Sequence, residues 1–420
     1  LGRAPKPDEV GRAPYGPYRD YQREIGITGT PVIDLPTNTL YCSAYTRDPK
    51  GGLHHTLHAL DIRTGKPRTA PVEVKATIAG KGIGGQNGRI PFQAKFQNQR
   101  AALLLDRGTV YVCFGSHADI EPYHGWLFAY DAKTLKQKAV WCSTPDGEGG
   151  GIWMAGVGPS VDAEGDLYIA IGDGTYTADT KGRDYGDSFV QLRLTPAGFT
   201  VQDYFTPYNQ QYLNEHDRDV GSAGVVLPPG KRHALAGSKA GVMYVMDRAK
   251  MGGYSTQKDN ILSRVSVTTG NIYGPPVEYD DPKGGPTVYV WGGYTRLKAY
   301  RASGDGRVDA QPAAVGAVEA PRGKPGGILS VSADADAPNT GIVWAYLPLT
   351  GNANRITVPG VLRAYDAADV GRELWNSEMV PERDKVGGFG KFCVPVVANG
   401  KVYVGTFSNK LHVYGLLPKP

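Results

Sequence analysis

The chain has 420 residues, with 46 basic against 41 acidic side chains and a net charge of +5 at neutral pH. So weak a basic balance, with interspersed charges and no Lys/Arg tract, leaves no case for nucleic acid, and no run of about 18 apolar residues marks a membrane span. Its 57 Gly and 31 Pro suit many turns and few long helices.

The chain opens on Leu1 with no signal peptide, which fits a processed or truncated product. Residues 1–24 contain "GRAPKPDEVGRAPYGPYRDY". Proline lacks an amide hydrogen, so this segment is a poor strand donor. It reads as the remnant of, or link to, an upstream element, and the main domain is expected over 25–417.

From Ile25 onward one pattern returns. "GITGTPVIDLPTNTLYCSAYT" leads to "HTLHALDIRTGKP", and "RAALLLDRGTVYVCFGSH" to "GWLFAYDAKTLKQKAVW". Third comes "GVGPSVDAEGDLYIAIGDG" with "DSFVQLRLTPAGFTV"; fourth, "GSAGVVLPPGKRHALAGSKAGVMYVMDR"; fifth, "YGPPVEYDDPKGGPTVYVWGGYTRLKAYRAS". The sixth is "GGILSVSADADAPNTGIVWAYLP" with "GVLRAYDAADVGRELW", and the seventh is "VANGKVYVGTFSNKLHVYG". Each has a short apolar strand rich in small residues, a polar turn, an alternating strand, and a third strand; several add a fourth. Asn399-Gly400 in the last unit suits a tight hairpin. Repeats of about 40 to 60 residues with four short strands predict an all-β fold, a β-propeller of four-stranded antiparallel blades. A two-sheet sandwich has no need of seven near-copies.

"ALDIRTGKP", "AYDAKTLKQKAVW" and "AYDAADVGRELW" end three units alike. Asp61, Asp131 and Asp366 suit turns in which a carboxylate accepts backbone N–H groups, and Trp141 and Trp375 then fall on outer strands. These are architectural roles. Cys42, Cys113, Cys142 and Cys393 match no zinc or redox spacing. Buried thiols are expected, with Cys42–Cys113 and Cys113–Cys142 bridges left open.

Aligning the units on their first strands gathers Gln99, Arg100, Trp153, Asp219, Asn271, Lys324 and Lys391 at the mouth of an axial channel. A Trp face beside Arg, Lys and Asp suits a planar, anionic or polyhydroxylated ligand; otherwise these groups satisfy one another around a watery channel. "CFGSHADIEPYHGW" offers His117, Asp119, Glu121 and His124 as a transition-metal set, with His124 alternatively capping a strand. "NEHDRDVGS" offers His216, Asp217 and Asp219 for acid–base work, or as a salt-bridged turn around Arg218. Asp173 and Asp179 lie in a Gly/Asp-rich loop that suits calcium but lacks EF-hand spacing. "GKGIGGQNG" at 80–88 is followed by no helix or Walker lysine, so it is no phosphate loop. No G-x-S-x-G elbow occurs.

Units with these endings resemble the quinoprotein (PQQ-like) β-propeller superfamily. More narrowly, "NGKVYVGT…LHVYGLL", "PYHGWLFAYDAKTL", "GGGIWMAG", "YGDSFVQL" and "VLRAYDAADVGRELWNS" look like secreted bacterial PQQ-like repeat proteins, from about Ile25 to Leu417. That resemblance implies eight blades. It also implies a secreted or periplasmic location, and an N-terminal fragment or another protein subunit completing the ring. The plain fold and the absence of catalytic signatures in the sequence point to a binding or scaffold protein for a glycan, a small molecule or a partner. A PQQ/calcium oxidoreductase is the alternative, with Trp153 as cofactor floor and Asp219 as base, although the adjacent cysteine pair common in such enzymes is missing. A carbohydrate lyase or hydrolase using His117, His124 or Tyr123 near Arg100 is the third.

Overall fold

The computed structural model describes residues 2–14, 16–334 and 337–417. Residues 1 and 15 of the Pro-rich segment and 335–336 of the sixth unit therefore lie outside the described residues. The protein is all-β, and each of the seven repeats becomes one antiparallel sheet in chain order. Two units emerge from the packing: one of residues 1–225 and 252–260, the other of 226–251 and 261–420.

The first unit holds the first three of these seven sheets. The first sheet runs Val32–Asp34, Thr39–Arg47, Leu53–Asp61 and Val72–Glu73. The second runs Leu104–Asp106, Thr109–Ser116, Trp126–Asp131 and Gln137–Cys142, with Gln97–Asn98 added against the end of its second strand. The third runs Ser160–Val161, Asp166–Ala170, Phe189–Thr195 and Gly198–Phe205. Tyr41, Leu57 and Ala59 of the first sheet meet Val110, Val112, Phe114, Trp126 and Phe128 of the second in one core. Each large side chain so buried contributes roughly 1.5–3 kcal/mol, which is why short strands that are marginal alone become stable when stacked.

The N-terminal segment packs on this unit. Pro7–Val10 form one helical turn, and Val10, Ala13, Tyr18 and Ile25 bury against Tyr45 and Ile120. Arg3 pairs with Arg47 in a single bridge at the end of a first-sheet strand. Glu9 bonds Arg3 at 2.7 Å and also pairs with Arg47. The Arg3 guanidinium, first among its neighbours, holds the Glu9 carboxyl down at about 2.

The second unit continues the series. The fourth sheet runs Val225–Val226, His233–Gly237, Val242–Asp247 and Ser263–Ser266. The fifth runs Val277–Asp281, Gly285–Val290, Arg296–Arg301 and Ala314–Glu319. The sixth runs Ile328–Ser332, Ile342–Pro348, Gly360–Asp366 and Glu373–Asn376. The seventh has three strands, Val396–Ala398, Lys401–Gly405 and Leu411–Gly415. The period of two is visible in the sixth sheet. Val343, Ala345 and Leu347 face the fifth sheet, while Tyr346 and Leu362 face Val402 and Val404 of the seventh. The other face of the seventh sheet, where Val396, Tyr403 and Val413 form one row, leaves Val396 54%, Leu411 66% and Val413 49% exposed.

Local chemistry sets the turns. Asn399 and Gly400 take φ of 51° and 69°, the left-handed pair that a tight hairpin requires. Asp61 Oδ1 accepts the amides of Arg63 (2.9 Å) and Thr64 (3.2 Å), Asp131 Oδ1 that of Thr134 (2.9 Å), and Asp366 Oδ1 that of Ala368 (2.9 Å). Trp375, on an outer strand, packs 5.4 Å from Tyr414 of the next sheet. In the second, third, fifth and sixth sheets the register slips where the third strand meets the fourth; such bulges sharpen the local twist. All four cysteines are unpaired, with Cys42, Cys113 and Cys142 buried, so neither bridge left open by the sequence forms.

Candidate functional site

Three loops that the sequence offered separately converge in the first unit. The first leaves the strand Thr109–Ser116. It folds back because Ser116 Oγ accepts the Asp119 amide at 2.8 Å, with Ala118 and Asp119 at φ of 49° and 58°. Tyr123 donates its hydroxyl to Asp119 Oδ1 at 3.0 Å. The second loop follows Asp166–Ala170 and carries Asp173 and Gly174. A further loop, after Gln137–Cys142, bridges these two: Gly149 donates its amide to the Tyr123 carbonyl at 3.3 Å and Gly150 to the Asp173 carbonyl at 2.6 Å, and a Cβ on Gly174 would lie 2.3 Å from the Gly150 nitrogen. The third follows the short helix Gln210–Glu215 and carries His216, Asp217 and Asp219. Asn214 Oδ1 accepts the Gly174 amide at 2.7 Å and so ties this helix to the second loop.

Between them lies a cavity of about 430 Å³ lined by Asp119, Glu121, Tyr123, Glu148, Asp173 and Glu215, with His216 and Asp217 at its side. Asp173, Asp217 and Asp219 bring carboxylate oxygens within 4.8 Å of one another. Asp217 is exposed and Asp219 buried, with Asp219 Oδ1 accepting the Gly221 amide at 2.7 Å. Oxygen-only donors of this kind suit a hard cation or an ammonium group.

The histidine–carboxylate metal set of the first loop does not assemble. His117 is fully buried, its Nδ1 3.1 Å from the Tyr18 hydroxyl. His124 is buried as well, with Nδ1 3.0 Å from Thr144 Oγ1 and Nε2 2.9 Å from the Ile83 carbonyl. Both rings serve the fold, while Asp119 turns to the cavity. Burial pulls the His117 pKa down to about 3 and lowers that of His124. Asp179 stands exposed on the turn Ala178–Thr180, apart from Asp173 and the cavity. The calcium pairing read from that loop is thus replaced by Asp173 with Asp217 and Asp219. Spacing along the chain had no means of joining residues 173 and 217; the hydrogen bond from the Gly174 amide to Asn214 Oδ1, three residues before Asp217, does. The Gly-rich stretch 80–88 is a packing loop: Gly82 and Ile83 donate amides to the carbonyls of Pro145 (3.0 Å) and Gly147 (2.9 Å).

The residues gathered at the expected channel mouth divide between the two units. In the first unit, Arg100 lies 5.0 Å from the Trp153 ring centroid and its Nε donates to the Trp153 carbonyl at 3.3 Å. Gln99 is buried and donates to the Ala101 carbonyl at 2.6 Å. A planar cofactor stacked on that indole face would have to displace Arg100, and Gly115, Gly151 and Gly172 press on the same ring so closely that a Cβ on any of them would come within 2.9 Å. These residues therefore do not form a floor for PQQ. In the second unit, Asn271 donates to the Lys239 carbonyl at 2.6 Å, Lys391 donates to the Asn354 carbonyl at 2.9 Å, and Lys324 lies 5.3 Å over the Tyr273 ring.

No protein-family model matches the chain, and no curated protein does either. Among solved structures, BamB from Moraxella catarrhalis aligns over 94% of this chain and 87% of its own, at 12% identity and a TM-score of 0.53. The fold is a β-propeller. Two further propeller likenesses are looser. A quinohemoprotein alcohol dehydrogenase from Comamonas testosteroni covers 90% of this chain and 70% of its own, at 16% identity and TM-score 0.40. The Cps50 (Swd1) β-propeller domain of Myceliophteria thermophila covers 93% and 98%, at 11% and 0.43. At such identities the likeness extends to the propeller architecture and stops there.

Proposed function

We propose that this chain is an extracytoplasmic, PQQ-like propeller that binds a ligand without transforming it, and that cationic groups of the ligand enter the acid-lined cavity of the first unit. One observation carries the reading: four segments remote in sequence converge on one open cavity lined by Asp119, Glu121, Glu148, Asp173, Glu215 and Asp217. Two of the groups offered for acid–base catalysis support it from the other side. His117 and His124, named for a lyase or hydrolase, are buried within the fold and hydrogen-bonded there. An imidazole held in this way has no route to a substrate proton, whereas geometry is the first requirement of a general base. The extracytoplasmic placement rests on the resemblance of the repeats to secreted PQQ-like proteins.

Isothermal titration of the whole chain at low ionic strength tests this, with calcium and spermidine as separate probes. Saturable binding is expected, weakened about tenfold or more in Asp217→Asn and reduced by added salt. Absence of binding by both probes, or equal binding by the variant, would overturn the reading. Calcium alone would identify a metal site, and spermidine alone a site for an organic amine.

A further inference from the structure

The second unit carries a cluster of opposite character. Tyr273, Lys324 and Lys391 stand on the loops leading into the first strands of the fifth, sixth and seventh sheets, which begin at Val277, Ile328 and Val396. The repeat thus puts the same loop position of three successive sheets to one use. Lys324 Nζ lies 5.3 Å from the Tyr273 ring centroid, and the Phe392 ring lies 5.7 Å from that of Tyr273. Lys391 Nζ is 5.5 Å from the Phe392 centroid. The loops are fixed by their backbones. Asn352 Oδ1 accepts the Lys324 amide at 3.1 Å, Ala353 donates to the Lys324 carbonyl at 3.2 Å, and Lys391 Nζ donates to the Asn354 carbonyl at 2.9 Å.

Two polar groups of this cluster are left over by the fold. The Tyr273 hydroxyl belongs to a side chain only 3% exposed, yet it has no hydrogen-bond partner among the described residues. The Lys324 ammonium is half-buried and makes no hydrogen bond or ion pair among the described residues, only its contact with the Tyr273 ring. A buried hydroxyl without an acceptor is costly to a folded protein. A phenol and two ammonium groups on rigid loops are all hydrogen-bond donors, and none of them supplies an anionic acceptor. What the Tyr273 hydroxyl and the Lys324 ammonium lack is an oxyanion.

We infer that Tyr273, Lys324 and Lys391 form an anion site in the second unit, one that takes a carboxylate, phosphate or sulfate group of a small ligand. The rings of Tyr273 and Phe392 provide apolar surface for the body of the ligand beside that group. The site is independent of the acid-lined cavity and stands or falls apart from it.

The test is calorimetric titration of the whole chain at low salt with inorganic phosphate and, separately, with glucuronate, using wild type, Tyr273→Phe and Lys324→Gln. Tyr273→Phe removes one oxygen and keeps the ring. Because that oxygen has no partner in the fold, the variant should melt no lower than wild type, while its affinity for the anion drops about tenfold or more. Lys324→Gln should weaken binding similarly. Binding of phosphate alone marks a phosphoryl or sulfate ligand; binding of glucuronate alone marks a carboxylate. The inference is overturned if neither anion binds, if the variants bind as wild type does, or if Tyr273→Phe lowers the melting temperature without changing affinity. That last result would assign the hydroxyl to the fold.

Discussion

At the scale of single residues, the histidines are the most informative groups. Tyr45 stacks on His55 at 4.3 Å and lies 5.3 Å from His117, which in turn meets Tyr18 of the N-terminal segment. Burial pulls the pKa of His55 down to about 4 and that of His117 to about 3. In the unfolded chain both titrate near 6.5. Between these limits the unfolded state holds protons that the native state does not. Stability is therefore complete above about pH 6.5 and is lost as pH falls toward the folded values. Each histidine adds a slope of about 1.4 kcal/mol per pH unit in that window. Urea unfolding from about pH 7 to about pH 4.5 should show this loss, and His117→Asn should make it shallower. An unchanged slope in the variant would remove His117 from the account.

The same residues show where a sequence misleads. His117, Asp119 and His124 sit close together on one loop and have the right donor chemistry, yet only Asp119 turns to the cavity. Donor type is legible in a sequence; the side on which a side chain lands is not, because that depends on Tyr18, Thr144 and Ile83 arriving from elsewhere.

At the scale of elements, the sheets were legible because the turn chemistry is local. An Asn-Gly pair or an Asp that accepts amides two or three residues ahead fixes a turn with no help from the rest of the chain. What lay outside that reading is how sheets lock together. Tyr41 donates to the carbonyl of Ala132 at 2.9 Å, and Tyr289 to that of Ala367 at 2.6 Å. In both cases the acceptor directly follows the turn aspartate of the next sheet. The repeated "YDA" was the signal available, and it was read only as a turn. The seventh sheet gives a sharp contrast between its faces. Val404 is buried against the sixth sheet, and Val404→Ala should cost roughly 2 kcal/mol. Val413 is half-exposed on the other face, and Val413→Lys should change stability by no more than about 0.5 kcal/mol. Chemical denaturation of the two variants checks this. A large loss for Val413→Lys would show that the second face is covered in the intact protein.

At the scale of the whole molecule, a weakly basic composition conceals two local extremes. A net charge of +5 with interspersed signs left no case for nucleic acid, but the first unit gathers carboxylates around a cavity and the second places Lys324 beside the buried phenol of Tyr273 and Lys391 beside Phe392. The repeats explain how this arises. Stacked sheets hold the same loop positions in register, so residues some forty or more positions apart become neighbours without any local motif to announce them. The fold was therefore readable from periodicity, whereas the cavity required the loops to be placed in space.

The central claim is that the acid-lined cavity of the first unit holds a cationic ligand. Anomalous diffraction from crystals soaked in a lanthanide, a stand-in for calcium with the same preference for oxygen donors, tests it most directly. The account predicts a dominant peak between Asp173, Asp217 and Asp219. Peaks confined to scattered surface carboxylates, with none in that cavity, would contradict it.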